Sequence, residues 1–208
     1  LHLMHKFFLD KADIFALTID EGITGYRDRS IEMTKQFIEK LNIEHHVVSF
    51  KEEFSVRVDD IKTDKYCTYC GVFRRDLLNK AAKRYGATKI AIGHNLDDEA
   101  QSVMMNFFKG DLSKFSRLGE ASEGSAFIQR IKPLRNVAEK EIMLYAMINN
   151  IPFYGGECPH SFNNMRRDVQ TVLNSLEEKY PGSKSQVVRF YDKIRPDTKE
   201  GTPLNSCK

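Results

Sequence analysis

Short apolar runs alternate with amphipathic helical patterns along most of this chain. The apolar runs suit buried parallel strands and lie at residues 13–19, 44–50, 89–93 and 128–131. The helical patterns lie at residues 30–41, 70–85, 97–108, 136–150 and 163–179. Strands that alternate with helices form parallel sheets with helical crossovers, so the sequence predicts an α/β fold with a doubly wound parallel sheet.

Capping residues indicate where several of these helices begin and end. Ser30 has the chemistry of an N-cap, and Asn136 followed three residues later by Glu139 has the pattern of a capping box. Gly86 directly follows the helical pattern that ends at Tyr85. We therefore expect helices to begin at Ser30 and Asn136, and one to stop before Gly86.

The length and composition of the chain fit a single domain with small appendages, because 208 residues with 41% hydrophobic content can form a substantial core. The net charge of +3 results from 32 basic and 29 acidic residues, which says little about a polyanionic partner. Neither an apolar stretch of membrane-spanning length nor a signal-peptide pattern is present. We predict a protein of the cytoplasm with no membrane partner.

Three of the four cysteines predict a metal or cluster site with one open position. Cys67-Thr68-Tyr69-Cys70 opens a helical pattern, and Cys158 lies in the glycine-containing turn of residues 155–159. This usage is typical of metal or redox chemistry in a reducing compartment rather than of a disulfide scaffold.

Several kinds of site compete for these cysteines. A redox dithiol normally follows a strand, and the polar approach at residues 62–66 weakens that interpretation. A closed zinc site needs four ligands, and His160 is the candidate for the fourth. An iron–sulfur cluster also uses cysteine followed by proline, as at Cys158-Pro159, so spacing alone supports zinc and cluster equally. Unrelated core thiols are the remaining interpretation.

Polar loops follow two of the predicted strands. Asp20 comes directly after the first strand, and Gly93 and His94 lie at the end of the third. Because ligands gather outside the carboxyl ends of parallel strands, we expect both loops to face one crevice. Asp97 and Asp98 then begin a helix, where they can bind Mg²⁺ carried by a nucleotide phosphate or act as a base. The alternative is that both aspartates only cap the helix.

Basic residues cluster near the cysteine motifs in the sequence, and they suit contacts with phosphate or nucleic acid. The alternative for each is an ordinary solvated helix surface. They are Arg74, Arg75, Arg130, Lys132, Arg135, Arg166 and Arg167.

Four ordered motifs resemble a single family. They are residues 67–75 (Cys-Thr-Tyr-Cys-Gly-Val-Phe-Arg-Arg), 93–100 (Gly-His-Asn-Leu-Asp-Asp-Glu-Ala), 132–134 (Lys-Pro-Leu) and 156–159 (Gly-Glu-Cys-Pro). The chain resembles the PP-loop ATP pyrophosphatases that thiolate tRNA, specifically the archaeal and eukaryotic type that makes 2-thiouridine. The similarity runs from about Asp13 to about Asp197.

The resemblance implies a mechanism in which ATP adenylates the C2 oxygen of a tRNA uridine and a sulfur nucleophile then displaces AMP. It implies that Cys67, Cys70 and Cys158 hold a 4Fe-4S cluster whose fourth iron binds the incoming sulfur. The expected partners are tRNA and either sulfide or a ubiquitin-like sulfur carrier, and a homodimer is expected.

The resemblance also assigns further roles, which remain expectations. Asp98 corresponds to a catalytic acid, and Arg74 to a basic residue near ATP and the cluster. Asp20, Gly93 and His94 line the nucleotide crevice. The lone Cys207 is the first ligand of a zinc ribbon that grips tRNA, with Zn²⁺ as a further cofactor.

The expected domains are a PP-loop catalytic domain at residues 1–160, a C-terminal helical extension at 161–200 and the start of a truncated zinc ribbon at 201–208. The family's phosphate-binding loop, Ser-Gly-Gly-Lys-Asp-Ser, does not occur in these 208 residues. Because residue 1 already reads as the middle of a helix, we expect that this loop and an N-terminal zinc finger precede the chain.

Three rival functions follow from the same residues. One is a related ATP pyrophosphatase that amidates its substrate or transfers lysine, although such an enzyme has no reason for three cysteines in one site. The second is a thiolase without a cluster, in which Cys70 and Cys158 act as catalytic residues through a persulfide. The third is a non-catalytic tRNA-binding or sulfur-relay partner with a Cys/His zinc site.

Overall fold

The computed structural model describes residues 1–63, 65–111, 115, 127–161 and 164–194. The chain divides into two compact units. The first consists of Leu1–Ala87 with Met143–Phe162, and the second consists of Thr88–Ile142 with Asn163–Lys208. The predicted boundaries near residues 160 and 200 stay predictions, and residues 201–208 lie outside the described part of the chain.

The first unit contains a pair of parallel strands flanked by helices. Its elements are α1 (His2–Phe8), β1 (Phe15–Asp20), α2 (Arg27–Leu41), β2 (Glu44–Ser49), α3 (Phe50–Phe54), a 3₁₀ turn (Val58–Asp60) and α4 (Tyr66–Arg84). β1 pairs with β2 from Phe15 opposite Glu44 to Asp20 opposite Ser49. This register places the carboxyl ends of both strands side by side.

A compact apolar cluster joins these elements. Its buried members are Ile19, Ile23, Val48, Phe50, Val58, Leu77 and Ala81. Cys70 and Cys158 pack against the same cluster. Each fully buried aliphatic or aromatic side chain contributes about 1.5–3 kcal/mol, so the core that supports the cysteines is well fixed.

The second unit repeats the pattern with a shorter strand pair. Its elements are β3 (Lys89–Ala91), α5 (Leu96–Phe108), β4 (Gln129–Ile131), α7 (Met165–Lys179) and α8 (Ser183–Ile194). Between β4 and α7, α6 (Glu139–Ile148) begins in the second unit and ends in the first. β3 and β4 are parallel, and Lys89 lies opposite Gln129. A second apolar cluster, which includes Leu96, Ala100, Val169, Leu173 and Val188, packs α5 against α7 and α8.

The predicted α/β fold with parallel strands is confirmed, and the strands begin and end within about two residues of the predicted positions. In the described residues they form two pairs. Gly86 does follow the end of α4, where its N–H donates to the carbonyl of Lys83 at 3.1 Å. None of the described helices has both the length and the apolar character needed to cross a bilayer.

Two predicted helix starts are wrong. α2 begins at Arg27, and Ser30 lies inside it, where its hydroxyl donates to the carbonyl of Arg27 at 3.2 Å. α6 begins at Glu139 instead of near Asn136. The carboxylate that accepts the N–H of Glu139 belongs to Asp97, at 2.8 Å, so a residue distant in sequence supplies the cap.

Candidate functional site

The three cysteines converge in the first unit. α4 begins at Tyr66, so Cys67 and Cys70 lie in its first turns at a spacing that places them on one face. Cys158 comes from the loop that follows α6. The thiol of Cys67 donates to the carbonyl of His160 at 3.8 Å, which ties the helix start to that loop. Cys67 is exposed, and Cys70 and Cys158 are half-buried.

The electrostatic surroundings favour protonated thiols at two of these positions when no metal is bound. Burial raises the pKa of Cys70, Arg74 opposes that shift, and Glu21, Cys158 and Cys67 add to it. Burial likewise raises the pKa of Cys158. A persulfide route needs a thiolate with a low pKa, so these directions weaken it. A metal or cluster would bind as these protons leave.

The donor set fits a cluster better than a single zinc ion. Among the described residues, no three His, Cys, Asp or Glu side chains are placed to hold one metal ion. Cys70 and Cys158 nevertheless pack against the same apolar cluster, and Cys67 is tied to the Cys158 loop through the carbonyl of His160. In an iron–sulfur cluster each cysteine binds a different iron atom, so the thiols need not share one ion as they do around tetrahedral zinc.

His160, the predicted fourth zinc ligand, is engaged elsewhere. Its Nε2 lies 2.8 Å from Oδ1 of Asp59, and its ring stacks on Tyr66 with centroids 4.4 Å apart. Asp59 also accepts from the backbone N–H and the hydroxyl of Thr24, at 2.9 and 2.8 Å. The histidine therefore fastens the Cys158 loop to the start of α4 and to the 3₁₀ turn.

A glycine allows the Cys158 loop its tight path. A Cβ on Gly156 would lie 2.4 Å from carbon atoms of the Tyr154 ring. That ring lies beside Tyr26, with centroids 5.8 Å apart. The carbonyl of Cys158 accepts from the backbone N–H and the hydroxyl of Ser161, at 3.0 and 2.7 Å. These contacts hold the loop backbone at the cysteine.

Arg74 and Glu21 form the polar side of the cysteine site. Arg74 Nη2 lies 3.4 Å from Sγ of Cys70 and 2.7 Å from Oε1 of Glu21. Burial alone would lower the pKa of Arg74, but Glu21 and Cys70 raise it, so the guanidinium stays charged. The structure thus places Arg74 beside Cys70, and its predicted role near ATP and a cluster stays a prediction. Sequence reasoning gave no role to Glu21, because nothing local links it to a residue so distant in the chain.

Asp20 lies at the carboxyl end of β1, beside a cavity of about 110 Å³. Its Oδ1 accepts the N–H of Gly22 at 2.8 Å. The cavity is lined by Asp20, Gly22, Ile23, Asp28, Ser49, Lys51 and Arg57. The lining carries two cations, Lys51 and Arg57, and two carboxylates, Asp20 and Asp28, so its charges balance. Its position at the end of a parallel strand pair is one where ligands commonly bind.

Gly93 and His94 occupy the segment between β3 and α5 in the second unit. Burial lowers the pKa of His94, and Asp98 is the largest opposing influence. A Cβ on Gly93 would meet no atom within 4 Å, so space is open beside this backbone. The shared crevice with Asp20 stays a prediction.

The two aspartates at the start of α5 are used differently. Asp97 is 5% exposed and contacts Nζ of Lys184 in α8 through Oδ1. Asp98 forms a capping box with Asn95 and accepts from Nη1 of Arg166 at 3.0 Å. The capping interpretation therefore holds for Asp98, and its side chain, 32% exposed, still reaches solvent.

Several predicted phosphate contacts are ion-paired within the second unit. Glu99 lies between Lys132 at 2.6 Å and Arg135 at 3.2 Å, and Arg135 also makes a two-pronged pair with Asp192 at 2.7 and 2.8 Å. Arg166 contacts Asp98 as described above. Lys132 and Arg135 are shielded side chains that bind α5 to its neighbours, whereas Arg166, 43% exposed, also contacts solvent.

Comparisons with known proteins agree with this arrangement. The family described as the PP-loop domain matches residues 1–174. The tRNA 2-thiolation protein NcsA of Haloferax volcanii is 43% identical in an alignment of 217 positions, gaps included, that covers 95% of this chain and 68% of that protein. The cytoplasmic tRNA 2-thiolation protein 1 of Chlamydomonas reinhardtii is 38% identical over 182 residues, which cover 85% of this chain and 51% of that protein.

A solved structure is also similar. It is the U34-tRNA thiolase NcsA from Methanococcus maripaludis with its [4Fe-4S] cluster, at 36% identity and a TM-score of 0.86. The match covers 93% of this chain and 65% of that one. This chain thus spans between about half and two thirds of the length of these proteins. The chain belongs to the PP-loop family, among the tRNA 2-thiolation proteins.

Proposed function

We propose that this protein is a tRNA-uridine 2-sulfurtransferase. The C2 oxygen of the uridine attacks the α-phosphate of ATP and pyrophosphate leaves. Sulfide or a carrier-bound sulfur then attacks C2, and AMP leaves with the oxygen. The observation that carries the proposal is the convergence of Cys67, Cys70 and Cys158 beside Arg74, in a chain similar to a thiolase that holds a [4Fe-4S] cluster.

The three cysteines are proposed to hold a 4Fe-4S cluster. When bound, the cluster supplies an iron without a protein ligand, at which an incoming sulfur can bind. The chain contributes the remaining features of the site. The apolar cluster behind Cys70 and Cys158 limits access of water to one side of the thiols. Arg74 brings a positive charge to the sulfur of Cys70 and offsets the negative charge of bound sulfur species.

Roles for the other predicted residues are part of the proposal. Asp20 in the first unit is assigned to ATP, because it lies at the carboxyl end of a parallel strand, where ligands of α/β folds bind. Gly93 and His94 in the second unit are assigned to the same ligand. Asp98 is assigned as the catalytic acid, and Mg²⁺ as the ion that accompanies the ATP phosphates. Cys207, the proposed zinc ligand, lies outside the described residues.

The partners follow from the reaction. The protein is proposed to act on tRNA in the cytoplasm and to take sulfur from sulfide or from a ubiquitin-like carrier. A homodimer is proposed as its assembly. The relative from Chlamydomonas reinhardtii carries the name of a cytoplasmic protein, which supports the location.

An assay under oxygen-free conditions tests this function. The complete gene product is incubated with ATP, Mg²⁺, sulfide and tRNA that lacks 2-thiouridine, and nucleosides are measured by mass spectrometry. We expect 2-thiouridine and AMP in equal amounts, and loss of both in Asp98→Asn. Asp76→Asn is the matched control, because Asp76 lies on α4 and pairs with nearby Lys80 at 3.1 Å.

The rivals predict other outcomes in the same assay. Pyrophosphate release without sulfur in tRNA would indicate a different ATP pyrophosphatase. Binding of tRNA with no AMP formation would indicate a non-catalytic partner. Full activity in protein with neither iron nor acid-labile sulfide would indicate the persulfide route.

A further inference from the structure

Glu21 is a buried carboxylate between two guanidinium groups. It directly follows β1, and its side chain is 3% exposed. Oε2 lies 2.5 Å from Nε of Arg27, and Oε1 lies 2.7 Å from Nη2 of Arg74. The backbone carbonyl of Glu21 also accepts the N–H of Val58 at 2.9 Å. Both the backbone and the side chain of this residue are therefore fixed.

The two arginines differ in what they need from Glu21. Arg27 is anchored independently, because its guanidinium also donates to the carbonyl of Ile19 and to the hydroxyl of Ser30. Arg74 extends from α4 with a side chain that is 49% exposed, and within the described part of the chain its polar contacts are with Glu21 and Cys70. A long, half-exposed arginine samples many rotamers unless a partner fixes it.

One nitrogen of Arg74 connects the carboxylate to the sulfur. Nη2 lies 2.7 Å from Glu21 and 3.4 Å from Sγ of Cys70. The spacing from Cys70 to Arg74 is one turn of α4, so both side chains lie on the same face. A carboxylate removed from water is costly unless it is paired, and here the pairing fixes the direction of Arg74.

We propose that Glu21 is a positioning residue that holds the Arg74 guanidinium against the sulfur of Cys70. The inference rests on the proposed cluster, because its consequence is a charged hydrogen bond to one of the cluster's thiolate ligands. Hydrogen bonds to the sulfurs and nearby charge set the reduction potential of iron–sulfur clusters. Loss of a cationic donor disfavours the more negative reduced state and so lowers the potential.

The reduction potential separates positioning from a merely structural role. Glu21→Asp keeps the negative charge but withdraws the carboxylate by one methylene, so Arg74 is released without a change of net charge. Arg74→Met removes the donor and keeps an unbranched side chain. We expect both variants to retain four irons and to have lower potentials, measured by EPR-monitored titration of oxygen-free protein. The double variant should be no lower than Arg74→Met alone.

Glu53→Asp is the matched control. Glu53 also accepts from two cations in the first unit, Arg84 and Lys80, but in the described residues no hydrogen bond or ion pair joins it to a cysteine. The reduction potential of the Glu53→Asp variant should equal that of the wild type.

The outcomes distinguish this inference from the proposed function. An unchanged potential in Glu21→Asp with four irons, or shifts that add in the double variant, would overturn the positioning role and leave the cluster intact. Wild-type protein without iron would overturn the proposed function and this inference together. If Glu21→Asp does not retain its irons, Glu21→Gln is used instead. The change in reduction potential caused by Arg74→Met is then measured in the Glu21→Gln background and in the wild type. A smaller shift in that background than in the wild type supports positioning, and an equal shift refutes it.

Discussion

Asp97 and Asp98 are adjacent, yet the structure predicts opposite consequences for their substitution. Asp97 is 5% exposed and joins two distant elements, because it contacts Lys184 of α8 and accepts the N–H of Glu139 at 2.8 Å. Asp98 caps its own helix and pairs with Arg166 at a half-exposed position. Asp97 should therefore be needed for stability, and Asp98 is the one that remains accessible for chemistry.

The expected magnitudes follow from these contacts. Removing one partner of a buried ion pair costs about 3–5 kcal/mol, because the other charge is left without its counterion. Lys184 keeps a hydrogen bond to Oδ1 of Asn174 at 2.6 Å, so we expect Asp97→Ala to cost about 3 kcal/mol, at the lower end of that range. Asp98→Ala removes a helix cap, worth about 1 kcal/mol, and a partly exposed pair worth about 0–1 kcal/mol.

Urea unfolding followed by circular dichroism measures both losses. The double variant Asp97→Ala with Lys184→Met should regain a large part of the lost free energy of unfolding, because no unpaired charge remains buried. In the thiolation assay, Asp98→Ala should lose activity while it retains most of its stability. A cost of 1 kcal/mol or less for Asp97→Ala, or no recovery in the double variant, would refute the structural role of this pair.

Two further predictions concern the loops at the strand ends. Gly22 has a φ of +71°, and a Cβ there would lie 2.7 Å from Cβ of Arg57, whereas Gly25 has a φ of +74° and open space. Gly22→Ala should therefore lower the free energy of unfolding by about 1–3 kcal/mol more than Gly25→Ala, and equal losses in urea titrations would contradict the close approach. Burial lowers the pKa of His94, so below the ordinary histidine pKa of about 6.5 the unfolded chain binds a proton that the folded chain does not. The wild type should lose more stability than His94→Gln as pH falls through this range, and parallel pH profiles would refute it.

Local periodicity was sufficient to predict the framework. The apolar run predicted at residues 13–19 appears as β1 at Phe15–Asp20. The helix that carries the Cys-x-x-Cys motif is predictable because the apolar residues of its buried face repeat at helical spacing within a short stretch of sequence. Helix starts were less predictable. α2 begins before Ser30, and the carboxylate of Asp28 accepts the N–H of Gly25 at 2.9 Å in the turn that precedes it. Competing polar residues at a helix start cannot be ranked from sequence alone.

The contacts that give the site residues their properties span long stretches of sequence. Asp97 and Lys184 are 87 residues apart, and Asp59 and His160 are 101 residues apart. No short sequence motif contains both members of such a pair. Sequence patterns do not show these long-range contacts. They therefore leave His160 as a candidate zinc ligand and assign no role to Glu21.

The most direct test of the proposed cluster is the iron and acid-labile sulfide content of protein purified without oxygen. We expect about four irons per chain and a matching amount of sulfide in the wild type, with both lost in Cys158→Ala. Asp76→Asn, on the same helix as Cys67 and Cys70, is the control and should keep its iron. Zinc in place of iron, or a Cys158→Ala variant with unchanged iron, would contradict the assignment of the three cysteines to a 4Fe-4S cluster.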